Sequence, residues 1–149
     1  MGVLDNRRLF DSSLRRPAPP KPASSSTRAA IVAGDASLDE VLTAVREQPV
    51  MAGRSLAAGV STPAPYEYSN VGGARIAVVD YGCKRSILRR LAGAGAAVTV
   101  FPHDVGADEL VGFDGVLLSN GPGDPEPLVD ETAVVRALLG RVPVLGICL

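Results

Sequence analysis

From residue 75 onward, short apolar runs alternate with segments whose apolar residues recur at helical spacing. The apolar runs predict strands at residues 76–80, 97–101, 115–119 and 144–147. The segments between them predict helices at residues 84–94 and 130–139, with a helical turn at 107–111. Because strands and helices alternate with short links, we expect right-handed βαβ units and a parallel sheet covered on both faces. The predicted fold class is α/β, flavodoxin-like or Rossmann-like.

The last predicted strand follows Pro143 and carries Cys148 at its C-terminal tip. Its continuous apolar run is typical of a parallel strand that is buried on both faces. In open parallel sheets, ligands bind outside the carboxyl ends of the strands, so a thiol at this tip is well placed for chemistry. Because the sequence ends at Leu149, we expect a C-terminally truncated sheet that lacks the helix after this strand.

A different pattern precedes residue 75. Ser37 and Glu40 have the spacing of a capping box, and apolar residues at helical spacing follow until Pro49. We expect one amphipathic helix there. Residues 49–74 are rich in glycine and proline and show little periodicity. That composition predicts an extended connector, and the domain boundary is expected within it.

The first 28 residues have the composition of an unstructured tail. Four prolines occur within residues 17–22, and a serine run follows, which predicts a disordered basic leader. A proline-rich ligand for a partner domain is the alternative interpretation. We therefore divide the chain into a leader at 1–28, one helix with the connector at 29–74, and the α/β domain at 75–149.

Charge and cysteine content exclude several classes of function. Six Lys or Arg and two Asp give residues 1–30 a net charge of +4, whereas nine Lys or Arg and fourteen Asp or Glu give residues 31–149 a net charge of −5. The acidic part offers no electrostatic footprint for nucleic acid. The two cysteines lack the spacing of a zinc site. Without a membrane-length apolar stretch or a secretory signal, we expect a cytoplasmic protein in a reducing compartment.

The third strand of the α/β domain is followed directly by Asn-Gly-Pro-Gly-Asp-Pro at residues 120–125. Glycines let backbone amides approach a ligand closely, and the prolines stiffen the loop. Such a loop can present N–H groups to a carboxylate, a phosphate or a developing oxyanion. An ordinary tight turn has the same composition, so the loop by itself leaves both interpretations open.

Three further side chains are candidates for chemistry. Cys148 is interpreted either as a nucleophile at a strand end or as a small residue that packs in the core. Cys83 also follows a strand, but the simpler interpretation is that it fills a strand-to-helix turn. His103 is the single histidine of the chain, and its neighbours Pro102 and Asp104 favour a surface turn over a catalytic base.

At these residues the chain resembles a known family. The stretches at 118–125 and 143–149 look like the two leading motifs of class I glutamine amidotransferases. The stretch at 80–89 resembles the start of the amidotransferase domain in the family of carbamoyl-phosphate synthase small chains, and residues 60–68 are similar to the interdomain segment of that family. The resemblance covers about residues 29–149. It implies a remnant of the small-chain N-terminal domain at 29–74 and a partial amidotransferase domain at 75–149.

The resemblance also implies a reaction and its residues. Cys148 would attack the side-chain amide of L-glutamine, and the N–H groups of Gly121 and Leu149 would form the oxyanion hole. Gly121 and Gly123 would contact the substrate. The ammonia would pass to a large synthetase subunit that makes carbamoyl phosphate for arginine and pyrimidine biosynthesis. ATP and Mg²⁺ would bind to that partner, so no cofactor or metal is expected in this chain.

Two departures from the family lead us to expect an inactive fragment. The family's activating histidine and glutamate lie C-terminal of the cysteine motif and would fall beyond residue 149. Most of the family's N-terminal domain, including a serine that contacts glutamine, is replaced by the leader at 1–28. A nucleophile without its base should lose most of its rate, since a thiol with an ordinary pKa is mostly protonated at neutral pH.

Two alternative functions stay open from the sequence. An amidotransferase domain coupled to another synthetase, such as those that make GMP or anthranilate, would retain Cys148 and the glycine loop, although residues 29–70 argue against it. A non-catalytic, flavodoxin-like binding or docking module would use the glycine loop to hold a small anion, while Cys148 only packs.

Overall fold

The computed structural model describes residues 28–32 and 34–148. The predicted leader lies outside the described residues except for Arg28. Contacts within the chain divide it between Gln48 and Pro49, and the two units are described separately. The three-part division at residues 28/29 and 74/75 remains a prediction.

The first unit contains helix α1, Leu38–Glu47, where the sequence predicts one. The capping box is confirmed, because the Ser37 hydroxyl accepts the Glu40 N–H at 3.3 Å and the Glu40 carboxylate accepts the Ser37 N–H at 3.0 Å. The side-chain hydrogen bond with Ser37 lowers the pKa of Glu40. At the other end, the Arg28 guanidinium donates to the carbonyls of Arg46 and Gln48, where a cation is favoured by the helix dipole.

The second unit is built on one five-stranded sheet. Its strands are β1 (Tyr66–Ser69), β2 (Arg75–Asp80), β3 (Ala97–Pro102), β4 (Gly115–Leu118) and β5 (Val144–Gly146). Their order in the sheet is β1-β3-β2-β4-β5. Strands β2 to β5 pair in parallel, as predicted, whereas β1 adds an antiparallel edge strand next to β3.

Three helices accompany the sheet: α2 (Arg85–Gly93), α3 (Ala107–Leu110) and α4 (Val129–Leu138). Side chains alternate across β2, so Ala77 and Val79 belong to one buried cluster and Val78 to the other. Leu88 of α2 joins the cluster of Val78, and Leu138 of α4 joins the opposite cluster. The sheet therefore has an apolar layer on each face, which confirms the predicted α/β class. None of the helices in the described part of the chain is long and apolar enough to cross a membrane.

Two parts of the sequence prediction differ from the structure. The stretch predicted as an extended connector contains β1 and a short 3-10 turn, Ala57–Gly59, whose Ala57 is fully buried. Glycines and prolines interrupt the apolar runs of this stretch, so the sequence pattern does not indicate these short elements. Strand β5 was predicted to be buried, yet Leu145 is 61% exposed among the described residues, where β5 pairs with β4.

Candidate functional site

The carboxyl ends of three neighbouring strands meet at one edge of the sheet. Strand β4 pairs with β2 and β5, with Leu118 in register with Val79 and with Gly146. The Ile147 N–H continues this pairing by donating to the Leu118 carbonyl at 3.0 Å. The segments that follow these strands are therefore brought together, as an open parallel sheet requires for a ligand site.

Ser119 links two of these segments. Its hydroxyl accepts the Tyr81 N–H at 3.0 Å and donates to the Asn120 carbonyl at 2.8 Å, and the residue is 1% exposed. Sequence reasoning missed this residue. The available signal was a single polar side chain at the end of an apolar run, immediately before a glycine loop.

The turn after β2 is held by the carboxylate of Asp80. One oxygen accepts the N–H groups of Gly82 and Cys83 at 2.9 and 2.7 Å, and the other accepts the N–H of Thr62 at 2.9 Å. Cys83 is half-buried in this turn, where burial and the nearby Asp80 charge raise the pKa of its thiol. This arrangement agrees with the interpretation of Cys83 as a turn-filling residue.

The glycine loop at residues 120–125 continues directly from β4 and Ser119. The Asn120 amide accepts the Lys84 N–H at 3.3 Å and donates to the Gly82 carbonyl at 3.1 Å, which ties the loop to the β2 turn. Among the described residues, the N–H of Gly121 has no acceptor. A donor of this kind stays available to an oxygen of a ligand.

Cys148 lies at the end of β5, as predicted, and is exposed. Its φ of +24° is the one positive value among the described non-glycine residues, a conformation that costs energy and is frequent at functional sites. Cys148 lines a hollow of about 170 Å³ together with Ser119, Tyr81 and Glu131. Gly121 and Gly123 are not part of that lining, and Leu149 lies outside the described residues.

His103 lies in a turn after β3, as predicted, but its side chain is partly buried. Its side chain is only 22% exposed, and its Nδ1 lies 3.0 Å from a carboxylate oxygen of Glu131. The fold produces this pair because α4 brings Glu131 back to the end of β3. Burial and the Glu131 charge together raise the pKa of Tyr81, which shares the hollow, to about 12. His103 is thus paired with a carboxylate, and sequence spacing gave no sign of it.

The described residues contain no group of three or more His, Cys, Asp or Glu side chains that could hold a metal ion. This edge of the sheet offers a thiol, backbone donors and the polar groups of the hollow. An exposed thiol at a strand end and backbone donors in the neighbouring loop are the kinds of group that acyl transfer from a carbonyl compound uses.

Comparison with known proteins agrees with this chemistry. Residues 77–149 match the family model of class I glutamine amidotransferases. The chain is 47% identical to a carbamoyl phosphate synthase small chain of Methanopyrus kandleri over 113 residues, which are 74% of this chain and 31% of that protein. It is 42% identical to the small chain of Rubrivivax gelatinosus over 134 residues, which are 79% of this chain and 35% of that protein.

A third relative is the carbamoyl phosphate synthase pyrimidine-specific small chain of Halalkalibacterium halodurans, 47% identical over 92 residues, or 60% of this chain and 25% of that protein. The chain thus spans about a third of the length of the curated relatives that it matches. The matched region contains β4, the glycine loop, β5 and Cys148. Residues 77–149 of this chain belong to the class I glutamine amidotransferase family.

Proposed function

We propose that this chain acts in the glutamine-hydrolysing subunit of a carbamoyl-phosphate synthase, where it supplies ammonia for carbamoyl phosphate. The observation that carries the proposal is the exposed Cys148 at the tip of β5, beside the glycine loop of β4. The relatives named small chains of this synthase support it, because they are 47% and 42% identical to this chain over 113 and 134 residues. The names of these relatives favour a carbamoyl-phosphate synthase over coupling to a GMP or anthranilate synthetase.

The reaction begins when the Cys148 thiolate attacks the side-chain carbonyl carbon of L-glutamine. A sulfur–carbon bond forms, and the carbonyl electron pair moves to oxygen, where the N–H groups of Gly121 and Leu149 stabilise the charge. The carbon–nitrogen bond then breaks, and ammonia leaves with the proton that the thiol had passed to the activating histidine that the family resemblance implies C-terminal of Cys148. Water cleaves the resulting thioester to glutamate and returns the proton to the thiol. Gly121 and Gly123 are proposed to contact the substrate.

The proposal assigns the remaining chemistry to a partner. A large synthetase subunit would bind ATP and Mg²⁺ and combine ammonia with bicarbonate, so this chain itself would need no cofactor. The product would serve arginine and pyrimidine biosynthesis. We place the reaction in the cytoplasm, since two free cysteines suit a reducing compartment.

Reaction with a diazo-ketone analogue of glutamine tests the role of Cys148. We expect the reagent to label Cys148 in preference to Cys83, free L-glutamine to protect against labelling, and Cys148→Ser to abolish it. Cys83→Ser, as the matched control, should leave the labelling unchanged. Equal labelling of both thiols, or no protection by glutamine, would contradict the proposal and favour a binding or docking module.

A second experiment tests the synthase itself. In a complex of the large synthetase subunit with a small chain that carries residues 75–149 together with the family's activating histidine and glutamate, Cys148→Ser should abolish carbamoyl phosphate synthesis from glutamine and retain synthesis from free ammonia. Loss of both activities would show that Cys148 supports the structure of the complex and not the hydrolysis of glutamine.

A further inference from the structure

Residues 53–56 run along the second half of the glycine loop, and we call them the loop clamp. Ser55 pairs with Gly123 in an isolated antiparallel bridge. The Asp124 N–H donates to the Arg54 carbonyl at 2.9 Å, and the Gly53 N–H donates to the Asp124 carboxylate at 2.8 Å. About seventy residues of sequence separate the two segments of this contact, so it is a feature of the tertiary structure. From the sequence, residues 53–56 were expected to form part of an extended connector.

Gly123 is the position where the clamp comes closest to the loop. Its φ is +103°, and a Cβ atom there would lie 2.6 Å from the Arg54 carbonyl oxygen and 3.0 Å from the Leu56 nitrogen. Both are backbone atoms, so a side chain at this position requires the clamp or the loop to move. Gly95 has a similar φ of +85° but no atom within 4 Å of its Cβ position. A comparison of substitutions at Gly123 and Gly95 therefore separates the effect of backbone strain from the effect of collision with the loop clamp.

The side chain of Asp124 also holds the second half of the loop in place. While one carboxylate oxygen accepts the Gly53 N–H, the other accepts the Glu126 N–H at 3.0 Å. Hydrogen bonds to a carboxylate are among the stronger ones in proteins, because the acceptor is charged. The carboxylate therefore joins the clamp to the turn that leads into α4.

The loop is thus attached at both of its ends. Asn120 ties the first end to the β2 turn, and Gly123 with Asp124 ties the second end to the clamp. Gly121 lies between these attachments. Because an oxyanion donor must lie within a few tenths of an ångström of its working distance, both attachments fix where the Gly121 N–H points.

We propose that the loop clamp positions the oxyanion-binding loop, with Gly123 and Asp124 as positioning residues that do not themselves have to touch the reacting atoms. This inference rests on the proposed glutamine hydrolysis. It assigns part of the presumed connector to the support of the active site. It also gives Gly123 a role through its contact with residues 53–56, in addition to any contact with the substrate.

The test compares Gly123→Ala with Gly95→Ala in the complex with the synthetase subunit. We expect Gly123→Ala to lower kcat for glutamine hydrolysis at least tenfold while KM changes less than threefold, because the oxyanion donor is displaced. Gly95→Ala carries a similar strain on its backbone and should leave kcat within twofold of the unmodified chain. Equal effects of the two substitutions on kcat would overturn the proposal, since strain alone would then account for the loss.

Substitutions of Asp124 provide an independent test, because they remove its oxygen acceptors one at a time. Asp124→Asn retains one oxygen acceptor, whereas Asp124→Ala removes both, so kcat should fall in the order Asp, Asn, Ala. Amide hydrogen exchange of residues 53–56 and 120–124 should rise in the same order. Faster exchange with unchanged kcat would overturn the positioning role and leave a purely structural contact.

The two proposals fail in different ways. If a small chain with an unmodified loop clamp and the family's activating histidine and glutamate neither hydrolyses glutamine in the complex nor shows protection of Cys148 by glutamine, the proposed function is wrong, and the positioning role is wrong with it. If the unmodified chain is active and Gly123→Ala behaves like Gly95→Ala, only the loop clamp is wrong.

Discussion

Cys83 and Cys148 both follow a parallel strand of the same sheet, yet their surroundings differ. Asp80 fixes the turn of Cys83 through three backbone N–H groups, and the thiol is half-buried against the core, with its pKa raised by that burial. Cys148 is exposed, has a positive φ and lines a hollow. A strand end is therefore not sufficient for a reactive thiol. Burial and charge decide which thiol can ionise and reach a substrate.

The largest expected effect comes from removing the group that fixes the Cys83 turn. Asp80→Ala leaves the N–H groups of Gly82, Cys83 and Thr62 without their acceptor, so the free energy of unfolding should fall by about 3 kcal/mol. Urea denaturation measures the change. Asp108→Ala is the matched control, because the Asp108 side chain is 98% exposed, and it should stay within about 0.5 kcal/mol. If Asp80→Ala lowers the free energy of unfolding by less than about 0.5 kcal/mol, the assigned role of the Asp80 carboxylate is contradicted.

A second experiment measures the contrast between the two thiols directly. Iodoacetamide should alkylate Cys148 at least about ten times faster than Cys83 at pH 8, because the thiolate is the nucleophile and Cys83 is partly buried with a raised pKa. Peptide mapping by mass spectrometry gives both rates in one sample. Unfolding in urea should bring the rates together. Equal alkylation rates of Cys83 and Cys148 in the folded chain would show that their different surroundings do not control their reactivity.

The smallest expected effect concerns Tyr81, which follows Asp80 and also lines the hollow of Cys148. Its pKa is raised from 10 to about 12, so the unfolded chain loses this proton at a lower pH than the folded chain does. The stability that the neutral phenol provides is present below pH 10 and is lost as the pH rises toward 12. At pH 11 the loss should be about 1 kcal/mol. Tyr81→Phe should flatten this part of the pH profile, and an unchanged slope would show that other groups cause it.

Much of the fold could be predicted because its signals are local. The runs at β2, β3 and β4 are continuous and apolar, and α2 and α4 show helical spacing, so the type of each element follows from a few neighbouring residues, and the alternation of strands and helices predicts that the strands are parallel. The capping box of α1 is local in the same way, since Ser37 and Glu40 satisfy each other. Strand β1 escaped prediction because its four residues lie among prolines and glycines, and only pairing with β3 stabilises it.

The candidate site was predictable in part, for a related reason. The position of Cys148 at a strand tip and the glycine loop after β4 follow from motifs that each occupy a few adjacent residues. The Ser119 bridge to Tyr81 and the pair of His103 with Glu131 join residues 38 and 28 positions apart. No short pattern encodes such contacts, because they depend on which strands become neighbours.

The sequence by itself determined the α/β class, the parallel direction of strands β2 to β5 and the thiol and glycine motifs of an amidotransferase. Each of these depends on local periodicity or on a short stretch of residue types. Only the tertiary structure decided the order of the strands in the sheet, the pairing of His103 and the contact of residues 53–56 with the glycine loop at Gly123. Those features arise when segments that are distant in sequence pack together. The free energy of that packing depends on both segments, so neither segment's sequence predicts it alone.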